Sequence, residues 1–279
     1  MKNLLTALFG VWCIVLFSCQ KEPNPDVLGG GGSSNSTGLL SKMVIKSGSD
    51  SNVASFTYNS SNKLTSVFTS GSDAGVVTDT KESFIRNAQG IITQIITKDA
   101  DLIASGIDSV ISKVNYSGGR YTNRVSYIDF FGMFQFKDSA VFTYDGNGNI
   151  VTVEDLLDVG LGYQPYIKQQ YTYAAKNITA VKVFVYDDAS SKYVEEYTET
   201  RTYDSKVSPL ILGSEALAMN YDAWYSSNNA IKSVVVSATD PGLNGTQDVT
   251  YSYNASNKPS GGTTVIQGGT TATVIFIYQ

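Results

Sequence analysis

From Leu39 onward the chain alternates apolar and polar positions with a period of two, in runs broken by clusters of Gly, Asn, Asp and Ser. That is the pattern of half-buried strands joined by turns. The hairpin AVKVFVYDDASSKYVEEYTETRTY, which starts at Ala180, shows it. Val181, Val183, Val185 and Val194 fall on one face. Lys182, Phe184, Tyr186, Tyr193, Glu195, Tyr197, Glu199 and Arg201 fall on the other. The aliphatic face reads as buried. The second reads as a wet face with cross-strand pairs, with a ligand-stacking platform as the alternative.

The hairpin recurs. FTYNSSNKLTSV starts at Phe56, FIRNAQGIITQI at Phe84 and FTYDGNGNIVTV at Phe142. Related copies are VNYSGGRYTNRV from Val114, YTYAAKNITAV from Tyr171, RTYDSKVSPL from Arg201, AWYSSNNAIKSV from Ala223 and YSYNASNKPSGG from Tyr251. Their third positions are Tyr58, Arg86, Tyr116, Tyr144, Tyr173, Tyr203, Tyr225 and Tyr253, at intervals of 28, 30, 28, 29, 30, 22 and 28. Such self-similarity marks a repeated supersecondary unit. Asn and Gly accept the positive φ of hairpin turns, and Asn or Asp side chains bond the turn backbone. A period of about 29 residues holds two strands and two turns. No interval carries a helical period long enough for a crossover, so neighbouring strands pair antiparallel.

The pattern therefore predicts an all-β, antiparallel up-and-down meander of about sixteen strands. It forms either a curled sheet or a large barrel. The tyrosine turns gather at one end, end A, and variable tips at the other, end B. The short interval predicts one helix. Within PLILGSEALAMNYDAWY, Ser214 reads as its cap and Glu215 to Met219 as its body, replacing a strand pair and plugging or covering one end of the sheet.

The first nineteen residues do not belong to this pattern. Lys2 precedes an apolar run from Leu4 to Phe17, short for a membrane span and suited to a signal peptide. The run ends in Leu16-Phe17-Ser18-Cys19, which resembles the lipobox of bacterial lipoproteins. The resemblance implies cleavage before Cys19 and acylation of its sulfur and new amino end, so the protein meets the membrane through Cys19. Several acyl chains anchor firmly where one is marginal. No cysteine follows Cys19, so the mature chain has no disulfide. Residues 20–38, QKEPNPDVLGGGGSSNSTG, read as a flexible tether. The domains expected are a signal peptide at 1–18, anchor and tether at 19–38, and one β domain at 39–279. Gln20 is not the Asp that resembles an inner-membrane retention signal, so the outer membrane is favoured. QKEP resembles the Lys/acidic export tag of Bacteroidota surface lipoproteins, which favours the cell surface over the periplasm.

The repeats resemble the YD repeats of bacterial surface and toxin-shell proteins. Together with the lipobox, turns such as Tyr144-Asp145 and the late pair TYDSKVSPL and SSNNAIKSV, they resemble a family of Bacteroidota lipoproteins described as porin-like in fold. That resemblance covers most of the chain after the tether. It implies a large curled or barrel-like sheet and carries no catalytic residue over to this chain.

Composition narrows the chemistry. The chain has 279 residues, no histidine, 16% charged residues and a net charge of −5. Without histidine the commonest neutral-pH base and metal ligand are gone. Without clustered Lys and Arg a nucleic-acid partner is disfavoured. Carboxylates are the remaining catalytic option, in the groups Glu154, Asp155, Asp158 and Glu195, Glu196, Glu199. Glu195 and Glu199 share a face in the predicted strand but stand ~13 Å apart at ~3.3 Å per residue. Asp145 to Asn149, DGNGN, reads as a hairpin turn, because it lacks the acidic residues and terminal Glu of a calcium loop. No cofactor and no metal are expected.

Among the end B tips, DFFGMF places Phe130, Phe131, Met133 and Phe134 around one glycine. Variable loops on a rigid scaffold carry function, and apolar tips mark contact sites. The other outcome is that they fold back onto the sheet. The leading reading is a non-enzymatic binding or structural module, with a glycan or an outer-membrane protein as partner. A carboxylate-dependent polysaccharide hydrolase and an outer-membrane pore are the alternatives.

Overall fold

The computed structural model describes residues 38–279 apart from Ser49, Ala74, Gly75, Phe131, Gly132, Val159 and Leu161, with the backbone alone at 72–73, 76–77, 129–130 and 133–137. The signal peptide, Cys19 and nearly all of the tether thus lie outside the described residues. Sixteen strands follow in chain order. They are β1 (Leu40–Ser47), β2 (Asp50–Tyr58), β3 (Leu64–Asp73), β4 (Val76–Arg86), β5 (Ile92–Asp99), β6 (Ile107–Ser117), β7 (Arg120–Phe130) and β8 (Met133–Tyr144). Then come β9 (Ile150–Asp158), β10 (Tyr163–Ala174), β11 (Asn177–Asp187), β12 (Lys192–Val207), β13 (Asn228–Ser237), β14 (Gly245–Tyr253), β15 (Pro259–Ile266) and β16 (Thr271–Tyr278). Each pairs antiparallel with its neighbours in sequence, and β1 pairs with β16, so the sheet closes into a barrel. Closure settles the choice between barrel and curled sheet, and it leaves no open edge.

End A is built by one device used eight times. Each even strand arrives there with a register shift against the next, as at Thr57/Tyr58, Thr143/Tyr144 and Thr172/Tyr173, and β16 does so against β1. A bulge re-aims the side chain beside it. At five of the eight it turns the strand-end tyrosine over the neighbouring strand, where its hydroxyl donates to a backbone carbonyl. Tyr58 donates to Leu40 O at 2.8 Å, Tyr144 to Tyr121 O at 2.6 Å, Tyr203 to Ile178 O at 2.6 Å and Tyr278 to Pro259 O at 2.7 Å. Tyr173 does the same to Ile150 O. Burial pushes the Tyr58 and Tyr144 hydroxyls up to about 12, which keeps them neutral donors. The extra residue of the bulge is often Thr or Ser, and its hydroxyl takes a second carbonyl. Thr65 bonds Thr57 O, Thr93 bonds Ile85 O, Thr179 bonds Thr172 O and Ser41 bonds Ile277 O, at 3.0–3.3 Å.

Four of the end A turns are Asx turns of one kind. Asn59 Oδ1 accepts from Ser61 and Lys63 N–H, Asn87 from Gln89 and Ile91, Asp145 from Asn147 and Asn149, and Asn254 from Ser256 and Lys258. Asn62, Gly90, Gly148 and Asn257 take positive φ at the matching position. These bonds hold the Asp145 carboxyl below its usual range. DGNGN is a hairpin turn, as read.

One expectation about the repeat is corrected. Tyr225 does not end a strand, and the eighth strand-end position is Tyr278. Tyr116 stands at its strand end, 40% exposed and edge-on to Tyr121 at 5.1 Å, and Tyr253 bonds the Asp204 carboxylate instead of a backbone carbonyl. The short interval arises from an insertion. Asp204 Oδ1 accepts from Lys206 N–H, as in every other Asx turn, but its second donor is Asn229 N–H. Residues 207–228 are thus threaded into one turn between β12 and β13. They replace no strand pair.

That insert carries helix α2 (Ser214–Ala218), and α1 (Ala100–Ala104) follows β5 at end B. One helix was expected and two are present among the described residues. Asp99 makes the second, since its Oδ1 accepts from Asp101 and Leu102 N–H ahead of good helix formers. For α2 the cap is Gly213, and Ser214 is already helical.

The β11–β12 hairpin is also corrected. Val183 faces Tyr197, but Phe184 faces Glu195, so Glu196 is an extra residue. The bulge reverses the alternation. Lys182, Phe184, Tyr186, Tyr193 and Glu195 point outward, whereas Tyr197, Glu199 and Arg201 share the inward face with Val181 and Val183.

Asp204 should therefore matter more than any other turn residue. Its carboxylate also accepts from Asn229 Nδ2 and from Tyr253. Asp204→Ala is expected to cost about 2–3 kcal/mol in urea unfolding, against about 1 kcal/mol for Asn254→Ala. Equal losses would remove the special role of the interrupted turn.

Candidate functional site

Residues opposite each other in a ladder share a face, so the buried core fixes which side is inward all round the barrel. Near end A the inward positions are apolar. Leu40, Phe56, Leu64, Phe84, Ile92, Phe142, Ile150 and Ile178 are buried there with Leu217 and Met219 of the insert. The insert is a plug. Trp224 stacks on Tyr221 at 4.3 Å and meets Phe56 edge-on at 5.5 Å, while Tyr225 packs on Tyr173 and donates to Asn149 Oδ1 at 2.9 Å.

Three arginines from three strands latch the plug. Arg86 grips Glu215 with two bonds of 2.8 and 2.9 Å. Arg124 donates to Ala218 O at 3.2 Å. Arg201 bonds Asp222 at 2.8 Å and Glu199 at 2.8 and 2.6 Å, and Glu199 also accepts from Ser233. Arg86 stands where the repeat has tyrosine, and it keeps that role by donating Nε to Leu64 O at 3.1 Å. Its side chain is 6% exposed, so removing either partner of the Arg86–Glu215 pair would strand a buried charge, a loss of about 3–5 kcal/mol.

Above the plug the lumen turns polar. Glu82, Arg124, Asp138 and Asp155 face inward on β4, β7, β8 and β9, with Ser112 and Ser126 bonded to each other at 2.9 Å between them. Burial pushes Glu82 up to about 7, with Thr97 and Arg124 acting against the rise. Burial pushes Asp155 up to about 6, opposed by Arg124 at 3.9 Å and reinforced by Asp138. Among the described residues no group of three or more His, Cys, Asp or Glu is placed to hold a metal ion.

The carboxylates singled out in the sequence are divided between faces. Glu154 points outward and accepts from Tyr193, while Asp155 points into the lumen. Glu195 pairs outward with Lys182, while Glu199 pairs inward with Arg201. Tyr58, Tyr144, Tyr173 and Tyr203 stand at end A with their hydroxyls on backbone carbonyls. Phe130 and Met133 are paired at the β7–β8 tip of end B, with Phe134 opposite Asp129. The side chains of that tip and all of Phe131 lie outside the described residues, as does Cys19. Sequence reasoning missed the three arginine latches and, of the lumen acids, Glu82 and Asp138. The departure of Arg86 from the tyrosine column was the available signal for the first.

The outer wall is mixed. Lys81, Lys113, Glu154, Lys168, Lys182, Lys232 and Asp248 point outward among Thr, Ser, Val and Ile. Among the described residues no helix is long and apolar enough to cross a membrane, which leaves strands untouched by that test. Gly38 N–H bonds Gln279 O at 2.9 Å, so the chain enters the barrel at end A, beside the plug.

No family model and no curated protein matches the chain. Solved structures do. A porin-like protein from Bacteroides uniformis ATCC 8492 superposes with a TM-score of 0.54 at 14% identity, over 86% of this chain and 96% of that one. A porin-like protein from Bacteroides vulgatus ATCC 8482 gives 0.53 at 10% identity, over 86% and 98%. At such identity the likeness is one of fold.

The lumen acids have a consequence for stability. Folded Glu82 holds its proton up to about 7, above the ordinary 4.5, and Asp155 up to about 6, above 3.8. The folded chain therefore binds more protons than the unfolded chain in that window, and stability falls as pH rises through it. The melting temperature is expected to drop from pH 5.5 to pH 8, and Glu82→Gln to flatten the drop. An unchanged slope in the variant would place Glu82 in water.

Proposed function

We propose that the protein is an outer-membrane lipoprotein, anchored through Cys19, whose barrel is a non-enzymatic binding module with end B as its contact end. The observation that carries this reading is the polarity of the barrel. The chain enters at end A, where the apolar plug fills the lumen and the turns repeat. Apart from the plug insert, the connections that vary in length and character lie at end B, the end directed away from the tether. A glycan or an outer-membrane protein partner suits that position, and the cell surface is favoured over the periplasm.

The fold likeness to porin-like proteins favours a pore as the second reading. Two observations weigh against it. A lipid-facing wall carries an apolar band, and Lys at mid-depth costs roughly 2–4 kcal/mol there. Lys81, Lys168 and Lys182 occupy outward positions within their strands. The plug also occupies the lumen. A carboxylate hydrolase draws support from the raised Glu82 and Asp155, and burial accounts for both rises.

Cys19→Ala is expected to release the protein from the membrane fraction. Retention after washing without detergent would overturn the anchor. At end B, Phe131→Ser with Phe134→Ser is expected to leave the melting temperature unchanged and to abolish capture of a glycan or partner protein. A large fall in melting temperature would make those side chains core and end the tip as a site.

A further inference from the structure

Lysines on the barrel wall are not alike. On the far side Lys182 pairs with Glu195 at 2.9 Å and Lys232 with Asp248 at 3.4 Å. On the wall formed by β16, β1, β2, β3 and β4, Lys42, Lys46 and Lys81 are exposed and make no ion pair with any described residue. Ladder parity places all three outward. Lys42 lies between Ser55 and Ile277, Lys46 between Ser51 and Thr273, and Lys81 opposite Phe68. The same rows carry Val53, Phe68, Ile275 and Ile277, of which Phe68 is 40% and Ile277 36% exposed. Among the described side chains of these five strands Asp79 is the one outward acid. On a chain of net charge −5, this wall is a basic and apolar stripe.

We infer that this wall rests on the anionic, phosphate-bearing surface of the membrane that holds the chain. Charge complementarity is the first support, since lysines near an anionic lipid surface each add about fivefold to binding, or about 10²-fold for three. The apolar side chains between them suit the headgroup boundary. The second support is where the chain begins. β1 is the first strand after the tether and lies within the stripe, carrying Lys42 and Lys46. If Cys19 is the anchor, as proposed above, about 19 residues of tether span at most roughly 65 Å. The wall is then confined near lipid at high effective concentration, which adds to the attraction the three lysines supply on a free chain. The barrel lies on its side, and end B opens along the membrane plane.

Amine labelling of the full chain in vesicles tests this. Chain floated with vesicles rich in anionic lipid is expected to label several-fold less at Lys42, Lys46 and Lys81 than chain floated with zwitterionic vesicles. Lys182 and Lys232 should label equally in both, and 1 M salt should remove the difference. Equal labelling of the wall lysines in both lipids, or equal protection of the far side, overturns the inference. Failure of the anchor looks different, because the chain would then not float with zwitterionic vesicles at all. In that case Cys19→Ala chain is compared with the same chain carrying Lys42→Glu, Lys46→Glu and Lys81→Glu. The expected result is a loss of about 10²-fold in partition onto anionic vesicles, and no loss overturns the inference.

Discussion

The hydrogen bond from a strand-end side chain to a backbone carbonyl one strand away is the constraint on which this barrel depends. Each bulge at end A breaks the ladder and leaves carbonyls without their usual partners. An unpaired backbone group in a low-dielectric wall is costly. Tyrosine can reach such a carbonyl and bury its ring against the core in the same rotamer. Thr or Ser at the bulge takes the adjacent carbonyl. The two side chains make the irregularity affordable, and the irregularity in turn curls the sheet. Eight repetitions bring β16 back to β1.

Closing a sixteen-stranded sheet creates a second problem, the interior. Side chains of the strands alone fill smaller barrels. Here the end A half is filled by an insert with its own apolar residues, Leu217, Met219 and Trp224. The insert must still place a short helix and a tight turn inside the protein, with orphan polar groups at their ends. Arg86, Arg124 and Arg201 meet those groups from three directions. The same arginines balance Glu215, Glu199 and Asp222, so the interior charge sits in pairs. The surplus acids, Glu82 and Asp155, respond by holding protons more tightly.

Much of this was legible in the sequence. Period-two alternation and the recurring Tyr-Asn/Asp turn gave sixteen antiparallel strands, because both signals are local and repeated. The helix near Ser214 was legible as a break in rhythm. What the sequence concealed were the effects of single extra residues. One residue at Glu196 moves Tyr197, Glu199 and Arg201 to the other face, and nothing in composition announces it. Tyr225 matched the motif yet belongs to the plug, because a motif match cannot tell a strand end from an aromatic in an insert. The arginine latches depend on partners 129 and 94 positions away, beyond any local pattern. The end B tip and Cys19 lie outside the described residues, so their roles rest on residue chemistry.

The interrupted turn bears on how such a chain can diverge. Asp204 and Asn229 keep the bonding of an uninterrupted Asx turn although the chain leaves and returns between them. The turn bonds therefore do not register how many residues pass through that gate. A segment can lengthen or shorten there so long as it keeps the partners of Arg86, Arg124 and Arg201. Since β1 also pairs with β16, and Gly38 N–H meets Gln279 O at end A, the ring of strands has no privileged starting point. Its eight hairpins form a cyclic frame, and the order in which the gene reads them is separable from the shape they make.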